Sequence, residues 1–337
     1  MKIRTVGNII ISIVFLTALP GALQAPTVLA SASTVASSLT ANRQPPTANR
    51  PFLASLPVAE NMTGPRKIVG ADGRESLGVK TTAAHVYVVD QESGATLYNV
   101  AADDQVPLAS ITKLMTARIF RSRGIDWNKV VTMNNVVADG GVAYFANGDQ
   151  VTVRDLWKAM IVGSSNTAAA TLAKVSGLSS ADFAAAMNAN AAGLGMKNSH
   201  FVEPTGLDEH NVSTAADISA LARAEFQDPE VTAAAALSSF DLVKIVGATK
   251  RVATTDKLLG SFLTKAPYKM LGAKTGYITE SGYNIVISVT RENAAPITVV
   301  VLGAASNDLR FQEAKSVAYW AFENYSWTKG RLTAAIR

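Results

Sequence analysis

Ser110 and Lys113, in the run Ser110-Ile111-Thr112-Lys113, stand three residues apart where Ile111, Leu114, Met115 and Ile119 repeat at helical spacing. Side chains at i and i+3 share a helix face, so a hydroxyl and an amine can meet there. The first turn of a helix leaves backbone N–H groups without intrahelical partners and carries the positive end of the helix dipole. Three consequences follow for such a pair. The serine N–H can donate to a developing oxyanion. Burial and the dipole disfavour the ammonium form of Lys113, which lets its amine take the serine proton. A serine–lysine pair also needs no histidine. Taken alone, the spacing is a weak signal, and Ser110 reads more readily as a helix N-cap.

Two further tripeptides carry compatible groups. Ser164-Ser165-Asn166 follows a predicted helix over 153–163 and therefore sits in a tight loop. From there Ser164 can pass a proton to a leaving amine, and Asn166 can hold a substrate amide and the Lys113 amine. The same residue types also make caps and turns, so the tripeptide is weak by itself. Lys274-Thr275-Gly276 opens an extended segment that continues into Tyr277-Ile278. Here lysine offers a fixed positive charge, threonine a donor for a carboxylate, and glycine room for a peptide backbone along a strand edge. The Tyr277 N–H is then a candidate second oxyanion donor. An edge-strand lysine that discourages aggregation is the plain alternative.

Composition removes competing chemistries. There is no cysteine, which excludes disulfides, thiolate zinc sites and thiol nucleophiles. The three histidines, His85, His200 and His210, form no zinc-peptidase pair, and no G-x-S-x-G elbow precedes any serine. The chemistry expected of the serine–lysine pair requires no metal and no cofactor. A net charge of +5 is dispersed over 31 basic and 26 acidic residues, without a basic run or aromatic interleaving suited to nucleic acid.

The elements that must position these groups follow from periodicity. A β-rich run at 85–89, a turn at Glu92-Ser93-Gly94 and a return at 95–98 predict a hairpin. Helices are predicted over 110–121, 153–163, 167–175, 181–192, 215–226 and 310–323, and two apolar strands over 285–290 and 297–302. Strands at both ends of a helical middle predict an α+β fold: one antiparallel sheet flanked by helices, with an inserted all-helical subdomain. Ahead of this region, Lys2 and Arg4 precede an apolar run from Ile9 to Leu19 and small residues up to Ala30-Ser31-Ala32. Residues 1–32 therefore read as an export signal, and the chain is expected in the periplasm or cell envelope. Residues 33–78, rich in Ser, Ala and Pro, read as a disordered tether, with the catalytic domain over 79–330.

In this order the three tripeptides resemble those of the low-molecular-weight penicillin-binding proteins, the D-alanyl-D-alanine carboxypeptidase and endopeptidase group of serine peptidases. The similarity extends to the runs around Pro107–Ala117, Gly148–Leu156, His200–Asp208 and Asn211–Ala215, and spans about Ala83 to Tyr325. The resemblance implies a penicillin-binding, β-lactamase-like transpeptidase fold with its site between sheet and helical subdomain. It implies Ser110 as nucleophile, Lys113 as base and Ser164 in proton relay. Asn166, Lys274, Thr275, Gly276 and Tyr277 would bind substrate, with Arg310 as a second carboxylate ligand. Peptidoglycan stem peptides are the implied substrate, β-lactam antibiotics covalent inhibitors, and the chain a monomer.

Two departures bear on specificity. The chain stops near Tyr325, where many such carboxypeptidases continue into a β-rich domain and a membrane helix, so no C-terminal anchor is expected; that end and the stretch Glu203-Pro204-Thr205-Gly206-Leu207 look more like the endopeptidase branch. Thr167 follows Asn166 where Asp is frequent. Two other readings stay open: a class A β-lactamase, although no Glu followed by Leu-Asn at the needed spacing appears, and a catalytically silent peptidoglycan-binding scaffold.

Overall fold

The computed structural model describes residues 65–69, 73–76, 78–124, 126–134, 136 and 142–327, all within a compact unit spanning Val58–Arg337. The expected signal at 1–32 and most of the expected tether lie outside the described residues.

Along the chain come strands β1 (His85–Asp90) and β2 (Thr96–Val100), then a 3-10 turn (Ala109–Thr112) that runs into helix α1 (Lys113–Arg121). Five helices follow: α2 (Val153–Ile161), α3 (Asn166–Val175), α4 (Ser180–Gly193), α5 (Ala215–Glu225) and α6 (Pro229–Ala235). The chain then returns to the sheet as β3 (Tyr268–Ile278), β4 (Gly282–Arg291) and β5 (Ile297–Ala304), and ends in α7 (Asn307–Asn324). The sheet order is β3-β4-β5-β1-β2, antiparallel throughout, which makes β3 an edge strand.

Two cores explain the unbroken apolar runs of β4 and β5. Ile285, Ile287 and Val289 join Val299 and Val301 against Phe311, Ala314 and Val317 of α7. Val286, Val300 and Leu302 face the other way, into the core built by α1 to α6. A sheet covered on both faces favours apolar residues on both, so period-2 alternation disappears; the buried Ser288 and Thr298 are met by Gln91 Nε2. Helix starts are set by side-chain caps: Thr152, Ser165, Ser179, Thr214 and Ser306 each accept from the N–H three residues on.

The expected fold class is the one observed, and one helix goes beyond expectation. Helix α6 was not predicted; Asp228 caps it and Pro229 occupies its first turn, but seven residues hold too little periodicity to register. Arg66 and Lys67 pair with Ser326 and Tyr325, and the Trp320 Nε1–H donates to Ser76 Oγ at 2.7 Å.

Candidate active site

The serine lies at a bend that the chain makes at some cost. Ala109, fully buried, holds φ at 51°, in the left-handed region where a residue with a Cβ loses about 1 kcal/mol or more. Immediately after it the 3-10 turn delivers Ser110 to the start of α1. Lys113, also fully buried, reaches back from the first position of α1. Its Nζ donates to Ser110 Oγ at 2.7 Å, to Asn166 Oδ1 at 2.6 Å and to the Thr205 carbonyl at 2.6 Å. Three acceptors from three separate segments fix the amine in place.

A second serine–lysine pair faces the first. Ser164 is likewise left-handed, with φ at 55°. Its Oγ accepts from Lys274 Nζ at 2.7 Å, and the same Nζ donates to the Thr275 carbonyl at 2.9 Å. Lys274, read from the sequence as a fixed positive charge, sits where its surroundings disfavour that charge. Burial first, then the nearby charges of Lys113 and Arg310, hold its ammonium well below the ordinary lysine range. Ser165 faces inward and caps α3, so only the outer two members of its tripeptide carry site groups.

Along β3, Thr275 is buried and donates from Oγ1 to Thr255 Oγ1 at 2.8 Å. Gly276 is required by close approach: a Cβ there would lie 2.8 Å from the Leu108 carbonyl oxygen and 3.1 Å from Ser110 N. Tyr277 is half exposed and its ring stacks on Tyr283 at 4.3 Å between centroids.

Arg310 sits in the first turn of α7, buried rather than at an exposed helix start. Its Nη1 donates to the carbonyls of Gly276 at 2.9 Å and Asn284 at 3.3 Å. Burial brings its pKa down to about 10. The guanidinium thus braces β3 and β4 directly behind the Lys274-Thr275-Gly276 run.

Sequence reasoning matched the loop over 203–211 to the family but named none of its residues for the site, which the loop completes. The Glu203 carboxylate accepts from the backbone N–H groups of Thr205 at 2.6 Å, of Gly206, and of Leu207 at 3.0 Å, and from Asn211 Nδ2 at 2.6 Å. This folds the loop so that the Thr205 carbonyl meets Lys113, while Thr116 Oγ1 donates to the Pro204 carbonyl at 2.6 Å. Gly206, with φ at +83°, packs onto the Ala109 carbonyl where no side chain fits. The signal was a glutamate two to four residues ahead of three N–H groups, legible only once the loop closes on α1.

Two hydroxyls, each within hydrogen-bond reach of a buried amine, can perform acyl transfer: one as nucleophile, one as proton relay. Among the described residues no group of three His, Asp or Glu side chains is placed to hold a metal ion.

Comparison with known proteins agrees with this arrangement. The sequence profile described as D-alanyl-D-alanine carboxypeptidase matches residues 73–306. The chain is 33% identical over 237 residues to a D-alanyl-D-alanine endopeptidase of Pseudomonas aeruginosa, covering 69% of this chain and 75% of that one. It is 32% identical to the D-alanyl-D-alanine carboxypeptidase DacC of Escherichia coli, covering 70% of this chain but 60% of that protein. Among solved structures, penicillin-binding protein D2 of Listeria monocytogenes, in its cefotaxime-bound form, superposes with a TM-score of 0.64 at 28% identity, over 73% of this chain and 100% of that one.

Proposed function

The chain belongs to the D-alanyl-D-alanine carboxypeptidase family of serine peptidases, the low-molecular-weight penicillin-binding proteins, and from that premise we propose how its own residues cut D-alanyl bonds of peptidoglycan peptides. Lys113, as free amine with its two N–H bonds kept by Asn166 Oδ1 and the Thr205 carbonyl, turns its lone pair to Ser110 and takes that proton while Oγ attacks the D-Ala carbonyl carbon. The carbonyl oxygen, now anionic, is met by the N–H groups of Ser110 and Tyr277. Collapse expels the amine, which takes its proton from Ser164 Oγ, and the Lys274 ammonium resupplies Ser164. Water then releases the acyl group from Ser110 by the reverse sequence. The observation that carries this reading is the pair of contacts at 2.7 Å, Lys113 to Ser110 and Lys274 to Ser164.

Substrate favours the charged form of Lys274 that burial opposes. A carboxylate arriving beside Thr275 favours the ammonium, opposing the effect of burial. Asn166 and the free edge of β3 hold the peptide backbone, and Arg310 acts from behind by fixing the Gly276 carbonyl. β-Lactams would enter the same path and stop at the Ser110 ester.

Both oxygens of Glu203 are engaged by loop donors, which argues against its use as the water-activating carboxylate of a class A β-lactamase. Cross-linked peptides are the proposed preferred substrate. The 33% identity to the P. aeruginosa endopeptidase supports this choice. Action on peptidoglycan also requires export, for which the N-terminal residue pattern is the support. The test is incubation with purified cross-linked muropeptides followed by mass analysis. Splitting of dimers supports the proposal, loss of a single D-Ala marks a carboxypeptidase, and intact products would overturn the enzymatic reading.

A further inference from the structure

Asn284 is the polar side chain that joins the nucleophile turn to the sheet. It lies in β4, fully buried, directly opposite Gly276 in the β3–β4 register. Its Nδ2 donates to the carbonyls of Pro107 at 3.3 Å and Leu108 at 3.2 Å, the residues that lead into Ser110. Its Oδ1 accepts from the Gly303 N–H at 2.9 Å at the end of β5, and its own carbonyl accepts from Arg310. One carboxamide therefore joins two separated segments, and the backbone carbonyl of the same residue meets a third.

The reaction proposed above needs two backbone N–H donors at a set separation, that of Ser110 on the turn and that of Tyr277 on β3. Nothing covalent links these segments nearby. Contact between them is already close, since the place of a Gly276 Cβ is 3.1 Å from Ser110 N. Apolar packing alone tolerates sliding, because dispersion is weak in direction. A buried amide with both ends engaged does not, because any slide leaves a desolvated polar group unpaired. We infer that Asn284 is a positioning residue of the oxyanion site: by tying the Pro107-Leu108 carbonyls to the sheet beneath Gly276, it sets the distance between the Ser110 and Tyr277 N–H groups.

This inference rests on the acyl-enzyme reading, and its test separates the two. Asn284→Ala and Asn284→Ser are compared with the wild type in stopped-flow acylation by a fluorescent penicillin, with rates counted per folded molecule. An ångström of misplacement costs about 100-fold in rate, so the acylation rate constant should fall about 100-fold while the dissociation constant of the preceding non-covalent complex changes less than about 3-fold. Phenylboronic acid, which adds to the serine hydroxyl to give a tetrahedral anion, should bind the variants correspondingly less tightly. A purely structural role would lower Tm and leave both readouts near wild type, and that result overturns the inference. If the alanine chain does not fold, the serine chain alone decides by the same criterion. If neither folds, Asn284→Asp, which keeps the Gly303 acceptor and loses the amide donors, is measured likewise. A wild-type chain that forms no penicillin adduct would instead refute the underlying reaction.

Discussion

The Lys113 amine stands 2.7 Å from the Ser110 hydroxyl and 2.6 Å from both Asn166 Oδ1 and the Thr205 carbonyl. The serine and lysine are neighbours in sequence, while the other two acceptors come from 53 and 92 residues away. The proposed proton acceptor is thus held by the whole domain rather than by its own helix.

Gly276→Ala should uncouple β3 from the nucleophile turn. The added methyl would sit 2.8 Å from a backbone oxygen that cannot swing aside. We expect a loss of about 1–3 kcal/mol in stability by denaturant unfolding, and acylation by penicillin slower by about 100-fold. A variant with unchanged acylation would mean that the close approach is incidental.

Lys274→Met should remove activity and raise stability together. A buried amine held below its solution range resists the protonation that the unfolded chain accepts, so the wild-type residue costs stability below pH 10.5. The cost is largest at low pH and shrinks as pH rises toward that value, where the unfolded lysine also loses its proton. The variant should therefore be more stable by about 1–2 kcal/mol at neutral pH, with the advantage fading in alkali. Chemical denaturation from pH 6 to 10 reads this directly.

Asp256 predicts a slope of the opposite sign. Burial pushes its pKa up to about 6, against the Leu258 N–H and the Arg310 charge that favour the ionised form. Its Oδ2 has no hydrogen-bond partner among the described residues. The folded chain holds this proton longer than the unfolded one, so stability falls as pH rises from about 4 to about 6. Asp256→Asn keeps the Leu258 cap, removes that slope, and should gain about 1–3 kcal/mol at pH 7.

Glu203→Gln replaces one acceptor oxygen by an NH2 group that meets backbone donors. Loosening the Thr205 carbonyl should slow acylation about 10-fold or more and cost about 1–3 kcal/mol in stability. Nitrocefin turnover should stay slow in wild type and variant alike. Fast wild-type turnover that the substitution abolishes would restore the β-lactamase reading.

Much of this was legible in sequence, for reasons that differ by residue. The Ser110–Lys113 contact follows from helical spacing, and the strands of β4 and β5 from apolar runs. The left-handed turns at Ala109 and Ser164 were not legible, because neither is glycine and tertiary packing imposes them. Neither was the depressed Lys274, whose chemistry depends on burial that a short motif does not report. The brace at Arg310 and the clamp at Asn284 depend on carbonyls brought near only by the closed sheet.

The claim on which the account depends is that the Lys113 amine accepts the Ser110 proton. Its most direct test is covalent labelling of Lys113→Gln by a fluorescent penicillin from pH 5 to 9, with circular dichroism to verify folding. The account predicts labelling slower than wild type by about 1,000-fold or more at every pH, in line with loss of a proton acceptor. Labelling of a folded variant within 10-fold of wild type, at any pH in that range, would contradict it.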